Sequence, residues 1–331
     1  MSPLHRRTLL TGLAAAALVA QAGAAAAQAA WPARPVRMVL PFAAGGPTDT
    51  LARLLAEQLS ARLGGRVIVE NRAGAGSTIG ADAVAKAPKD GHTLLFNNIS
   101  HSTNAALYRR LPFDPVRDFA PVATLMEGPV LLLVKRDFPA RDLAEFVALL
   151  RREPDRHDYG SAGNGSASHI SVAQLLSLTR TTMTHVVYRG TAPAVTDLVA
   201  GTVALVGDTS TTALGHLQGG TVRALAVTSP ERLPFLPDVP TVRESGIPEL
   251  ADYRMSTWNV LLAPAGTPEA ITRRLHDETR AALADPAFVR RLADLGNVPM
   301  SPATQEGTRE FLVAEQERWR RVLADAGVMP E

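Results

Sequence analysis

Short apolar runs of four to six residues alternate along most of this chain with stretches whose apolar residues recur at helical period. That alternation restricts the fold to the α/β class. Val36 to Leu40 reads as a buried strand. Thr48 or Asp49 can cap a helix whose apolar positions Leu51, Leu54, Leu55, Leu59 and Leu63 fall on one face, and Gly64-Gly65 ends it. Arg66 to Glu70 and Thr93 to Asn97 read as further strands, with a helix over Ser77 to Ala87 and a turn at Pro88-Lys89-Asp90-Gly91 between them. After Pro121 the pattern restarts. Val130 to Val134, Tyr159 to Ser161, His185 to Tyr188, Val203 to Gly207 and Val222 to Val227 read as strands, with helices between the first four. Alternation of this kind predicts parallel strands joined by right-handed crossovers. The remainder reads as mostly helical, over Pro268 to Ala284, Pro286 to Leu295 and Gln305 to Asp325. A length of 331 residues allows two such α/β lobes, and one continuous sheet in their place would exclude that architecture.

Residues 1–30 differ from the rest. His5, Arg6 and Arg7 precede an apolar run from Leu9 to Ala20, and Ala27-Gln28-Ala29 fits a small-residue cleavage site. These are the parts of a secretory signal peptide, which places the mature start near Ala30 or Trp31. The run is too short and too rich in Ala and Gly for a membrane anchor. Arg6-Arg7-Thr8-Leu9-Leu10 also resembles a twin-arginine export signal, although ordinary signal peptides carry paired arginines too. The chain has no cysteine, so stability must come from core burial, and the usual lipid attachment point is missing. A soluble periplasmic protein is expected. The 34 basic residues fall to 32 once Arg6 and Arg7 are removed with the signal, equal to the 32 acidic ones. That balance gives no footprint for nucleic acid, so an acidic ligand would be held by local donors.

The polar information is concentrated in glycine-rich loops between a strand and a helix, at 41–49, 73–78, 160–166 and 188–192. In open α/β sheets such loops line the crevice beyond the carboxyl ends of the strands. Free backbone N–H groups and the helix dipole favour an anion there. Any single loop is explained by turn chemistry, but four at equivalent junctions could cage a carboxylate without an arginine.

Other chemistries fit less well. Gly74-Ala75-Gly76 with Gly80 has the wrong spacing for a dinucleotide fingerprint. Ser161 and Ser166 lie near His169, yet neither occupies a nucleophile elbow, and His169 reads as a packing or capping residue. The eight histidines are scattered and no metal motif occurs, so no metal and no cofactor are expected. Asp49 reads equally as a cap, Trp258 as a ligand-stacking or a core aromatic, and Glu317, Arg318, Arg320 and Arg321 as a solvated helix face.

At these loops the sequence resembles the substrate-binding receptors of tripartite tricarboxylate transporters, the Bug receptors. The resemblance rests on Pro41-Phe42 with Gly45-Gly46 and Asp49, on Val69-Glu70-Asn71-Arg72 with Gly74-Ala75-Gly76, and on Asp90-Gly91-His92-Thr93. It continues through Leu111-Pro112-Phe113-Asp114, Gly160 to Ser166 with His169, Tyr188-Arg189-Gly190, Leu236-Pro237-Asp238-Val239-Pro240 and Ala263 to Pro268.

What the resemblance implies is a two-lobed periplasmic binding protein of type II, a Venus flytrap with its ligand cleft between the lobes. It would be a monomer that does no chemistry, binds a small carboxylate and presents it to a membrane permease. The implied lobes are 31–124 with 229–331, and 125–228. The implied ligand contacts are Phe42, Ala43, Gly46 and Asp49, then Ala75 and Gly76, and from the other lobe Ser161, Asn164, Ser166, Thr191 and Asp208. Ser77 departs from the family, which often has glycine there. Two other roles compete: a receptor that reports to a membrane sensor, and an exported hydrolase using Ser166.

Overall fold

The computed structural model describes residues 31–253, 255–300 and 304–325. The expected signal segment, with Arg6 and Arg7, lies outside them. The first lobe opens with β1 (Val36–Leu40), α1 (Pro47–Leu63), β2 (Val67–Asn71), α2 (Thr78–Ala85), β3 (Thr93–Asn98) and α3 (Ser100–Leu107). A 17-residue strand, β4 (Phe119–Lys135), leads into the second lobe. That lobe contains α4 (Leu143–Arg152), β5 (Asp158–Ser161), α5 (Ala167–Thr179), β6 (Thr184–Val187), α6 (Thr191–Ala200), β7 (Leu205–Thr209), α7 (Ser210–Gln218) and β8 (Val222–Val227). The chain returns through β9 (Ser256–Pro264), α8 (Glu269–Leu283), α9 (Pro286–Asp294), β10 (Val298–Pro299) and α10 (Gln305–Asp325). Among the described residues, no helix is long and apolar enough to cross a membrane.

The expected parallel strands are present: β1 pairs in parallel with β2 and β3, and β5 with β6 and β7. The long strands correct the all-parallel expectation. β9 runs antiparallel to β3 and β4, and β4 runs antiparallel to β7, β8 and β10. Sequence reading did not separate β9 from its helical surroundings because all but its first residue are buried, so it carries no alternation. It likewise took only the end of β4, whose earlier part contains Pro121, Gly128 and Pro129. Pro121 is accommodated where the β4–β9 register shifts, and Gly128 and Pro129 close the β4–β9 pairing just before β7 takes over at Val130.

One strand order connects all the pairings, but only through β4. Through Pro129 it pairs with β9 and β10, and from Val130 onward with β7 and β8. Thr228 ties this crossing. Its hydroxyl accepts from Val130 N at 2.9 Å and donates to Met255 O at 2.6 Å, and its own N–H donates to Val130 O.

Local rules explain the helices that matter. α1 starts at Pro47, whose missing N–H costs nothing in a first turn. The cap is therefore Gly46 rather than Thr48 or Asp49, and αL Gly64 ends the helix. Leu55, Leu59, Phe96, Leu261 and Phe288 belong to one buried cluster beneath α1. Trp258 and Trp319 lie in another. Both indole N–H groups donate to Glu315 Oε2, at 2.7 and 2.9 Å, which makes Trp258 a core residue rather than a ligand platform.

Candidate functional site

Four helices end their N-termini on one small cavity between the lobes. The caps Gly46 of α1, Ser166 of α5, Gly190 of α6 and Thr209 of α7 all line it. Each N-terminus carries a partial positive charge of about half an elementary charge, and its first N–H groups have no partner within the helix. Only Ser166 is capped by its own side chain, which accepts from His169 N at 3.2 Å. Gly46, Gly190 and Thr209 make no side-chain cap. The donors of those turns remain available to a solute.

The enclosed space is about 30 Å³, room for roughly two waters. No charged side chain lines it. Its polar groups are amides and hydroxyls, among them Thr48, Asn98, Ser168, Thr257, Asn259 and Asn297. Asn98 donates to Thr48 Oγ1 (3.3 Å) and Asn297 to Thr211 Oγ1 (2.8 Å). Ser168 Oγ and Thr209 Oγ1 are buried with no hydrogen-bond partner at all. Two orphaned hydroxyls on residues that line a cavity ringed by helix N-termini leave bonding capacity unmet beside it, and its electrostatics favour negative charge.

Five of the residues implied by the family resemblance meet at this cavity: Phe42, Ala43, Gly46, Ser166 and Thr191. Ala75, Gly76 and Asn164 line a neighbouring open groove of about 600 Å³, which shares Ala162 with the cavity. The other three lie behind these surfaces. Asp49 accepts from Gly45 N (3.0 Å), Asn71 Nδ2 (2.9 Å), Arg53 Nε (2.9 Å) and Arg53 Nη2 (3.0 Å). Burial acts to raise its carboxyl, and these donors outweigh burial and hold it below the usual range. It braces the first loop as an ionised group. Ser161 is fully buried, its Oγ 2.6 Å from His185 Nε2. Asp208 is 1 % exposed, between the cavity residues Gly207 and Thr209. Burial pushes its carboxyl up to about 7, against hydrogen bonds from Thr212 Oγ1 (2.6 Å) and Thr209 N (2.9 Å).

Sequence reasoning overlooked Asn98, Ser168, Thr209, Thr257, Asn259 and Asn297. Asn98 and Thr209 sit at the carboxyl ends of β3 and β7, where the crevice rule would have found them. Thr257 and Asn259 lie on the unread strand β9. Asn297 is brought in by tertiary packing alone.

The hydrolase constellation does not assemble. Ser166 Oγ donates to Gly163 O at 2.6 Å, and His169 Nδ1 accepts from Gly165 N at 3.1 Å, so this pair shares no hydroxyl–imidazole bond. His169 stacks on His185 with centroids 4.3 Å apart, and His185 stacks on Tyr159 at 4.7 Å. Burial, aided by the repulsion that a protonated His185 would exert, lowers His169 to about 3, and burial lowers His185 to about 4. Both rings are neutral packing groups at ordinary pH. Among the described residues, no three His, Cys, Asp or Glu side chains gather as a metal site.

A profile of tripartite tricarboxylate transporter family receptors matches residues 51–328. BugT of Bordetella pertussis is 35% identical over 313 residues, covering 93% of this chain and 95% of BugT. The structure of the periplasmic binding protein BugD superposes with a TM-score of 0.87 at 36% identity, over 91% of this chain and all of BugD. MatC from Rhodopseudomonas palustris, solved with bound malate, gives a TM-score of 0.84 at 39% identity, over 88% of this chain and all of MatC.

Proposed function

The chain belongs to the family of tripartite tricarboxylate transporter receptors, and on that basis we propose that it is an exported, monomeric receptor. It captures a small carboxylate between its lobes, does no chemistry on it, and presents it to a membrane permease. One observation carries the ligand class: four helix N-termini and two orphaned hydroxyls converge on a cavity without a charged side chain. A carboxylate there would be met by backbone N–H groups and hydroxyls, and these charge-assisted bonds are stronger than neutral ones.

In this reading Phe42, Ala43, Gly46, Ser166 and Thr191 contact the ligand, and Ser168 and Thr209 donate their hydroxyls. Ala75, Gly76 and Asn164 shape the mouth, and Asp49, Ser161 and Asp208 set the loops behind it. The lobes, 31–124 with 229–331 and 125–228, close about the crossing at β4 and Thr228. Delivery to a permease and export by the N-terminal segment, with its paired arginines, belong to the same proposal.

The test is thermal unfolding of protein freed of bound solute by unfolding and refolding, against a panel of small carboxylates. A ligand at 100 times its dissociation constant adds about 2.7 kcal/mol and raises the midpoint by several degrees. The absence of any shift across mono-, di- and tricarboxylates would reject the ligand class.

A further inference from the structure

The two lobes are joined across the cleft by a contact that lies outside the cavity. Thr103 on α3 is fully buried, and its hydroxyl donates to Gly165 O at 2.6 Å in the facing loop of the second lobe. Gly165 has φ +74°, and a Cβ there would lie 2.6 Å from Thr103 Oγ1, 2.8 Å from Asn104 Oδ1 and 2.9 Å from Leu107 Cδ1. Only glycine lets that backbone dock on the helix. Asn104 Nδ2 meanwhile donates to Gly76 O (2.7 Å) and Ser77 Oγ (3.1 Å), so α3 braces a loop from each lobe.

The Gly165 backbone is held from both sides. Its N–H donates to His169 Nδ1 at 3.1 Å, and its carbonyl accepts from Thr103. That carbonyl belongs to the peptide unit leading into Ser166, the N-cap of α5, which faces the cavity. Thr103 itself does not line the cavity.

We propose that Thr103 is a positioning residue for solute binding: by holding the Gly165 carbonyl across the cleft it stabilises the closed arrangement and aims the α5 N-terminus at the solute. The proposal deepens the receptor reading and rests on it for the nature of the solute. The physical basis is an asymmetry between states. In the closed form, loss of the hydroxyl leaves Gly165 O buried without a partner; in an open form, water satisfies it. The cost therefore falls on the closed state, and affinity drops roughly tenfold while unliganded stability changes little.

The chain has no cysteine, so spin labels can be placed on Ala61→Cys and Ala200→Cys, two exposed positions on α1 and α6. Dipolar spectroscopy then reads lobe separation with and without malate, succinate, glutarate or citrate, and calorimetry reads affinity. Thr103→Val is expected to weaken binding about tenfold and lengthen the separation, and Thr103→Ser to restore both. Thr103→Ala, which relieves any crowding by the valine methyl, must behave as Thr103→Val does. If the native lobes close on a carboxylate and Thr103→Val matches them in affinity and separation, the positioning role is wrong and the receptor reading stands. If no carboxylate moves the native lobes, the receptor reading is wrong. The unliganded separations then decide: a longer distance in Thr103→Val supports the contact's role, and an equal one overturns it.

Discussion

Replacing Gly190 by alanine separates the energy of holding a loop from the energy of closing the cleft. Gly190 caps α6 with φ +132° and ψ 166°, a region occupied almost only by glycine. A side chain there costs about 1–3 kcal/mol of backbone strain in any state of the lobes, lowering the unfolding midpoint by roughly 2–5 °C. The new Cβ would also lie 3.0 Å from the Ala43 Cβ of the opposite lobe, beside the bond from Ala43 N to Arg189 O at 3.2 Å. That crowding belongs to the closed arrangement, and relieving it costs about 1 kcal/mol, or roughly fivefold in affinity. Gly201→Ala is the control. Its φ is +83°, its nearest neighbours are Lys135 side-chain atoms at 3.7 and 3.8 Å, and it ends α6 away from the cavity. Calorimetric titration and thermal unfolding of both variants should show stability falling in each and affinity falling only in Gly190→Ala. Unchanged affinity there would refute the assignment of the Ala43–Gly190 approach to the solute-holding state.

Ser168→Ala and Thr209→Val remove hydroxyls that are buried without partners. Each should leave the unliganded midpoint unchanged or higher while weakening carboxylate binding several-fold, as titration calorimetry would show. Asp208 gives a pH signature. Its folded value, pushed up to about 7, exceeds the unfolded value near 3.9, so the folded state holds the extra proton and stability falls as pH rises from about 4 to 7. Asp208→Asn should flatten that slope and raise the midpoint at neutral pH, and parallel pH profiles would contradict it. Asp49 has the opposite sign. Its folded value is depressed, so the stability it contributes is present above about 4 and lost as pH falls further. Asp49→Asn should lower the midpoint at pH 7 and bring the two proteins closer in acid.

How much of this was legible depended on where the information resides. β1, β3 and β8 could be read because each is short, mostly apolar and bounded by turn residues, whereas β5, with the sequence Asp-Tyr-Gly-Ser, was legible only from its place before a glycine-rich loop. Three of the four glycine-rich loops come to the cavity, since a loop leaving the carboxyl end of a parallel strand has one crevice to face. The fourth, at 73–78, turns into the groove instead. Ala75, Gly76 and Ser77 have φ of 43°, 58° and 82°, a left-handed turn that carries them past the mouth. No spacing rule announces that path. Asp49 and Asp208 were implied as contacts by the family resemblance alone. Neither lines the cavity, and the burial and donors that hold them are not recorded in sequence. β9 was illegible for an energetic reason: a strand buried on both faces has no polar side from which a period could be read.

The absence of a counter-ion has a consequence for how such a site selects. A buried arginine would attract any anion, and much of that attraction would be offset by its own desolvation. Helix N-termini at Gly46, Gly190 and Thr209 supply field and donors without an ion to desolvate, so the fixed geometry of the N–H groups discriminates among anions more than net charge does. The seal over them is largely backbone: Gly76, Gly165 and Gly190 each approach the opposite lobe at distances that leave a side chain little or no space. Walls of that kind present the same peptide groups whatever side chains the chain carries. Differences in preference among carboxylates should therefore trace to the few side chains that reach the cavity, with Ser168, Thr209, Asn98 and Asn259 foremost. Exchanging those four alters the donor pattern without disturbing the helices that create the field, whereas exchanging the glycines weakens closure for every solute alike.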